Sequence, residues 1–199
     1  MKQDVQFLAE QHRQAVPGWP ANIGSRCPLL AFAGWSGAGK TTLLAKLLPE
    51  LRRSGLRLAV IKHAHHRFDV DYPGKDSHVL RNAGADQVLI SSGDRRVLIQ
   101  EKPAGGDPQL VEELAMLDQG QLDLILVEGF RDEPIPKLEV YRSALGRGFR
   151  FPDDPAVLAV ASDTPLPADV PAPPFLGLDD VDGVLAFVQR LREVQQTIL

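Results

Sequence analysis

At 199 residues the chain suits one α/β domain and hardly two, and its 44 % hydrophobic and 24 % charged residues are those of an ordinary water-soluble globule. A net charge of −4 argues against a phosphate-backbone footprint, so no nucleic-acid partner is expected, and no apolar run approaches membrane-spanning length. The single cysteine, Cys27, excludes an internal disulfide and fits a reducing compartment; Asp4 and Glu10 near the start argue against a signal peptide, so a cytoplasmic location is expected.

In chain order, Val5 to Val16 predicts a short amphipathic helix, which Pro17, Gly18, Pro20 and Gly24 then interrupt. Residues 1–27 read as an N-terminal appendage, and residues 28–199 as the main domain. Pro28 to Ala33 predicts a buried strand, and Thr41 onwards a helix to about Ser54 with Gly55 as its C-cap. Pro49 lies inside that helix and is expected to kink it or end its first part. Leu56 to Lys62 is the second strand, followed by a polar loop, His63 to Gly74, and a helix from Asp76 or Ser77 to Ala83. Asp86–Ser91 and Arg95–Glu101 around Ser92-Gly93-Asp94 carry a hairpin signal. A Pro/Gly-rich link, Pro103 to Pro108, precedes an amphipathic helix over Gln109–Leu117. Leu122 to Gly129 is apolar enough for a central parallel strand covered on both faces, and Lys137–Arg142 and Ala156–Ala161 add further strands. Five prolines between Pro165 and Pro174 predict an extended surface loop, and Asp179/Asp180 cap a last helix with a Val184, Leu185, Val188, Leu191 stripe. Strands alternating with helices indicate a doubly wound, mostly parallel α/β sheet with helices on both faces and an added antiparallel hairpin.

Between the first strand and its helix stands Gly34-Trp35-Ser36-Gly37-Ala38-Gly39-Lys40-Thr41-Thr42, which fits the phosphate-binding loop G-x-x-x-x-G-K-[ST]. Glycines let successive N–H groups turn inward, and the helix start adds partial positive charge. Gly34, Ser36, Gly37, Ala38, Gly39, Lys40, Thr41 and Thr42 are therefore candidates for holding a polyphosphate. Lys40 would reach the β- and γ-phosphates, and the Thr41 hydroxyl would ligate Mg²⁺.

A second acidic element is expected where a buried strand ends beside that loop. Glu128 qualifies, since Gly129 lets the chain turn directly after it, either to hold Mg²⁺ or to cap the next turn. Asp123 opens the same strand at its far end and is rejected as a ligand. His63, His65, His66, Asp69 and Asp71 crowd one loop. The spacing is not that of structural zinc sites, and the carboxylates suit Mg²⁺ better than neutral imidazoles do. The loop reads either as a switch sensing γ-phosphate or Mg²⁺, with Asp69 or Asp71 as third anchor, or as a solvated polar loop. Lys62 and His63 would bring charge or a hydrogen bond to the phosphates. Asp163, after its strand, either accepts from guanine N1–H and the 2-amino group, selecting GTP, or belongs to the Asp-Thr-Pro turn.

The combination of Leu29 to Thr42, Ile61-Lys62-His63-x-His65-His66, Asp69-x-Asp71-x-Pro73-Gly74-Lys75-Asp76-Ser77, Arg81-x-Ala83-Gly84-Ala85, Leu122–Phe130 and Ala159–Asp163 resembles the MobB family. MobB proteins are adaptors in molybdopterin-guanine dinucleotide biosynthesis, and the resemblance covers about residues 28–190. It implies a P-loop NTPase fold and a protein that binds GTP and Mg²⁺. It implies action with the guanylyltransferase that joins GMP to molybdopterin, and with other molybdenum cofactor proteins. It also implies weak intrinsic GTP hydrolysis and a homodimer built by sheet extension. If GTP is cleaved, Lys40 would neutralise charge and Asp69 or Asp71 would stand near the metal, Asp69 as its ligand. The rival reading is a small-molecule kinase or ATP-dependent ligase, because Val127-Glu128-Gly129 is similar to the strand end of dethiobiotin synthetase; Asp69 or Asp71 would then be the base. Phe130-Arg131-Asp132 in place of a glycine run, and Trp35 where MinD-type ATPases carry an extra lysine, count against these relatives.

Overall fold

In a computed structural model, residues 2–64, 68–102 and 106–199 are described; the expectations for His65, His66 and Arg67 lie outside them. The chain divides into a larger unit, the part before Ala64 together with Gln109–Leu199, and a smaller one, Ala64–Pro108. The elements in chain order are α1 (Lys2–Ala15), β1 (Leu29–Ala33), α2 (Lys40–Arg53), β2 (Leu58–Lys62), α3 (Asp76–Asn82), β3 (Gln87–Ser91), β4 (Arg96–Gln100), α4 (Leu110–Ala115), β5 (Leu124–Glu128), β6 (Lys137–Tyr141), β7 (Val157–Ser162), β8 (Phe175–Gly177) and α5 (Val181–Gln196).

Six strands of the larger unit form one sheet in the order β2-β5-β1-β6-β7-β8, and every pairing is parallel. The side chains of β1 are all buried because both faces of the strand are covered. The two-residue period sorts them: Leu30 and Phe32 join Leu43, Leu47, Phe187 and Leu191 of α2 and α5, whereas Leu29 and Ala31 join Leu110, Leu114 and Phe130 on the other face. The mostly parallel sheet with helices on both faces is thus as expected, and so is the hairpin: β3 and β4 pair antiparallel in the smaller unit, closed by Ser92 N–H donating to Arg95 O at 2.8 Å. The Asp180 carboxylate caps α5 by accepting from Gly183 N–H at 2.9 Å, also as expected.

Helix α2 runs through Pro49 to Arg53, close to its expected end at about Ser54, and fully buried Leu47 and Leu51 on either side of the proline tie it to the sheet. Two local details differ from the expectations. Strand β8 emerges just after the Pro-rich segment, where three residues with a terminal glycine give no readable periodicity. Residues 1–27 contribute to both core layers of the larger unit, Leu8 to one and Val16, Trp19 and Ile23 to the other.

A buried polar lock joins this N-terminal part to the sheet. The Gln195 side chain accepts from Leu29 N–H at 2.7 Å, donates to Leu29 O at 2.8 Å and lies 3.2 Å from His12 Nε2. Nε2 therefore accepts, and the imidazole is neutral; burial, with Arg13 adding to it, pushes its pKa down to about 4. Protonation would set two donors face to face. Because the folded value lies below the unfolded 6.5, the contribution is complete above pH 6.5 and is lost as pH falls towards 4. Denaturant unfolding at pH 7.5 and pH 4.5 is expected to show an acid loss on the order of 3 kcal/mol that His12→Phe removes; equal acid sensitivity in the variant would refute it.

Candidate functional site

The C-terminal ends of the parallel strands gather the expected residues of the larger unit. Register places Phe32, Lys62 and Glu128 side by side at this edge of the sheet, so the loop after β1 opens next to the end of β5. Gly34 opens the loop at φ +131°, and a Cβ there would run into the Val140 carbonyl of β6, so only glycine fits. Fully buried Ala38 pins the underside of the loop, while Ser36 and Gly37 remain exposed. Helix α2 begins at Lys40 with no side chain capping its first amides.

Lys40 folds back over this loop, its ammonium donating to Gly34 O and Trp35 O at 2.9 Å each. Burial holds its pKa below the usual lysine range; Lys62 and Arg131 act in the same direction and Glu128 opposes them. Next to it, the Thr41 hydroxyl donates to Glu128 Oε1 at 2.7 Å, and Lys62 Nζ stands 3.3 and 3.4 Å from the two Glu128 oxygens. The Glu128 side chain is 12 % exposed and faces this cluster because the chain reverses at Gly129, with φ +101°. A Cβ at Gly129 would lie 2.6 Å from His63 Cβ, so the turn tolerates no side chain. Phe130 follows at φ +49°, a strained value for a phenylalanine, and its ring packs against His63 with centroids 4.9 Å apart.

A hydroxyl and a carboxylate are the hard oxygen donors that Mg²⁺ takes, and an ammonium already rests against both. The donor set therefore fits a divalent cation. Asp123, by contrast, is occupied at the far end of β5, where Arg57 donates to it through its backbone and guanidinium at 2.8 to 3.2 Å.

Asp163 lies at the same strand ends, but its carboxylate is engaged by Ser143: the backbone N–H donates to Oδ1 at 2.8 Å and the hydroxyl to Oδ2 at 3.2 Å. It braces the loop after β6. Asp69 and Asp71 belong to the smaller unit. The Arg81 guanidinium grips Asp69 with bonds of 3.0 and 2.7 Å and holds its pKa down to about 2. Asp71 Oδ1 accepts from the Ser77 hydroxyl at 3.0 Å, and its Oδ2 is buried with no hydrogen-bond partner among the described residues.

Two residues at this site were not anticipated from sequence. Arg142, just after β6, brings a guanidinium nitrogen within 3.5 Å of where a Gly39 Cβ would be, and borders a small cleft with Thr42, Lys46, Leu178 and Asp179. Its place depends on β6 lying beside β1, which no local pattern announces. Trp35 spans from the glycine-rich loop to the segment after β6: its indole N–H donates to Gly148 O at 2.9 Å, and the Arg147 and Arg150 guanidinium carbons lie 5.3 and 5.9 Å from its ring centre.

Residues 29–163 match the family model described as MobB, molybdopterin guanine dinucleotide synthesis protein B. The molybdopterin-guanine dinucleotide biosynthesis adapter protein of Escherichia coli K12 is 49 % identical over 162 residues, which is 81 % of this chain and 91 % of that protein. The adapter protein of the same description from Haemophilus influenzae is 43 % identical, covering 74 % of this chain and 81 % of the relative. Among solved structures, a MobB protein homolog from Bacillus stearothermophilus superposes with a TM-score of 0.60 at 25 % identity, over 84 % of this chain and 98 % of that one.

Proposed function

The chain belongs to the MobB family of molybdopterin guanine dinucleotide synthesis proteins, and from that premise we propose that it is a GTP-binding adaptor in molybdenum cofactor biosynthesis, working in the cytoplasm beside the enzyme that attaches GMP to molybdopterin. The observation that carries the reading is the convergence of Lys40, Thr41, Glu128 and Lys62 at the mouth of a glycine-rich loop that leads into a helix N-terminus. Amides of the loop and of the first turn of α2 take phosphate oxygens, and Lys40 exchanges the Gly34 and Trp35 carbonyls for the β- and γ-phosphates. Thr41 and Glu128 hold Mg²⁺. The bound cation would neutralise charge building up on the phosphates.

Hydrolysis in this reading is slow. Arg81 is committed to Asp69 and Arg131 lies beside Asp132 at 3.3 Å, so neither is poised as an arginine finger. Among the described residues, no helix is long and apolar enough to cross a membrane.

The testing experiment is calorimetric titration of GTP, ATP and GDP, with and without Mg²⁺. Mg²⁺-dependent binding of GTP is expected, and its absence would end the proposal. Asp163→Asn probes base selection. If Asp163 leaves Ser143 to read guanine, the preference for GTP over ATP should fall by at least about tenfold, the range for losing a hydrogen bond to a charged group. An unchanged preference would leave Asp163 as a loop brace only.

The reading also includes a homodimer. A two-stranded ribbon is marginal by itself, and β3–β4 leaves Leu89 and Leu98 60 % and 42 % exposed. Sedimentation should find wild type dimeric and Leu98→Lys shifted to monomer; a monomeric wild type would refute this part.

A further inference from the structure

Lys62 is the last residue of β2, and its ladder partner is Glu128 at the end of β5. Its Nζ lies 3.4 Å from Thr41 Oγ1, 3.3 Å from Glu128 Oε1 and 3.4 Å from Glu128 Oε2. A lysine bonded to one carboxylate oxygen approaches to roughly 2.8 Å. Three nearly equal, longer distances describe an ammonium seated over the middle of three oxygens, which is where a metal ion using those donors would rest. We infer that Lys62 is a built-in stand-in for the divalent cation, resting against its ligands and leaving them when nucleotide and metal enter together. This rests on the assignment of Thr41 and Glu128 to Mg²⁺ made above.

Each part of the arrangement suits a place-holder. The Glu128 side chain is largely buried, at 12 % exposure, so a lone carboxylate would be poorly solvated without a positive partner. The Lys62 side chain is 56 % exposed, so its head swings into water without burying or stranding any group. Thr41 donates its proton to Glu128 while the lysine is present, leaving its hydroxyl oxygen to be turned towards a metal later.

The consequence is an order of events. A divalent ion by itself finds two protein ligands and a competing ammonium, which is a weak site for an ion that keeps most of its water. A polyphosphate brings negative charge and oxygen ligands, so the metal gains partners as Lys62 is released towards the phosphates. Metal capture is thereby made contingent on nucleotide.

The test uses the full chain, with Mn²⁺ as the metal probe followed by electron paramagnetic resonance, and GTP binding measured in EDTA. In Lys62→Met, Mn²⁺ should bind the nucleotide-free protein about tenfold more tightly than in wild type, the scale for removing one nearby charge at a water-exposed site. In the same variant, metal-free GTP affinity should fall by about tenfold, because the ammonium no longer faces the phosphates. Lys62→Arg keeps the charge and should follow wild type in both measurements. Opposite movements of the two affinities are the signature, since local damage would weaken both. Unchanged Mn²⁺ affinity in Lys62→Met, or a parallel loss of both affinities, overturns the inference. If wild type takes up no GTP while Lys62→Met still gains Mn²⁺, the nucleotide reading fails and the stand-in role survives.

Discussion

Replacing Lys40 by alanine is expected to reduce GTP affinity by at least about a hundredfold while leaving the fold intact. Lys40 donates to two loop carbonyls, Gly34 O and Trp35 O, and these are the bonds it would trade for phosphate oxygens. Hydrogen bonds to charged groups contribute about 1.5–3 kcal/mol each, so losing two towards a triphosphate exceeds the factor stated. The structural loss is smaller. Alanine leaves two partly exposed carbonyls to water, a change of about 1–2 kcal/mol, while Ala38, Leu43, Leu44 and Leu47 still anchor the loop and helix in the core. Circular dichroism should be unchanged, and calorimetry should show the heat of GTP binding nearly gone. Undiminished affinity would remove Lys40 from the site.

Gly34→Ala is expected to have the larger effect on stability. The backbone at φ +131° disfavours any side chain, and the new methyl would meet the Val140 carbonyl of β6. Because Val140 O is backbone within the sheet, no side-chain rotation relieves the overlap; β1 and β6 must separate or the loop must change path. A loss of about 3–5 kcal/mol is expected, which lowers the melting temperature of a chain this size by roughly 6–20 °C. Thermal unfolding of the purified variant measures it directly, and a shift within about 2 °C of wild type would show that the loop relaxes freely.

The glycine-rich turn between β1 and α2 was legible because it depends on local geometry: glycines, a lysine and a hydroxyl at fixed spacing between a strand and a helix. Glu128 was legible because an acidic residue closing an apolar run, followed by glycine, has one natural place at a strand end. The β3–β4 hairpin announced itself through Ser92-Gly93-Asp94, and the α5 cap through Asp180. Lys62 was expected to bring charge to the phosphates, yet its seat against Thr41 and Glu128 follows from the parallel register of β2 on β5. Asp163 illustrates the opposite limit: two readings were equal on local grounds, and a loop residue twenty positions away, Ser143, takes up its carboxylate.

Features that arise from neighbours along the chain can be read directly from it: the glycine-rich loop, the buried strands, the hairpin and the family. The order of the strands cannot, and with it goes everything that depends on which strand ends adjoin. That order brings Arg142 to Gly39, Trp35 to Gly148, and His12 and Gln195 to Leu29. Backbone conformation and side-chain period are short-range properties. Contacts between residues a hundred or more positions apart are settled by which apolar faces bury one another, and a single chain does not display that competition.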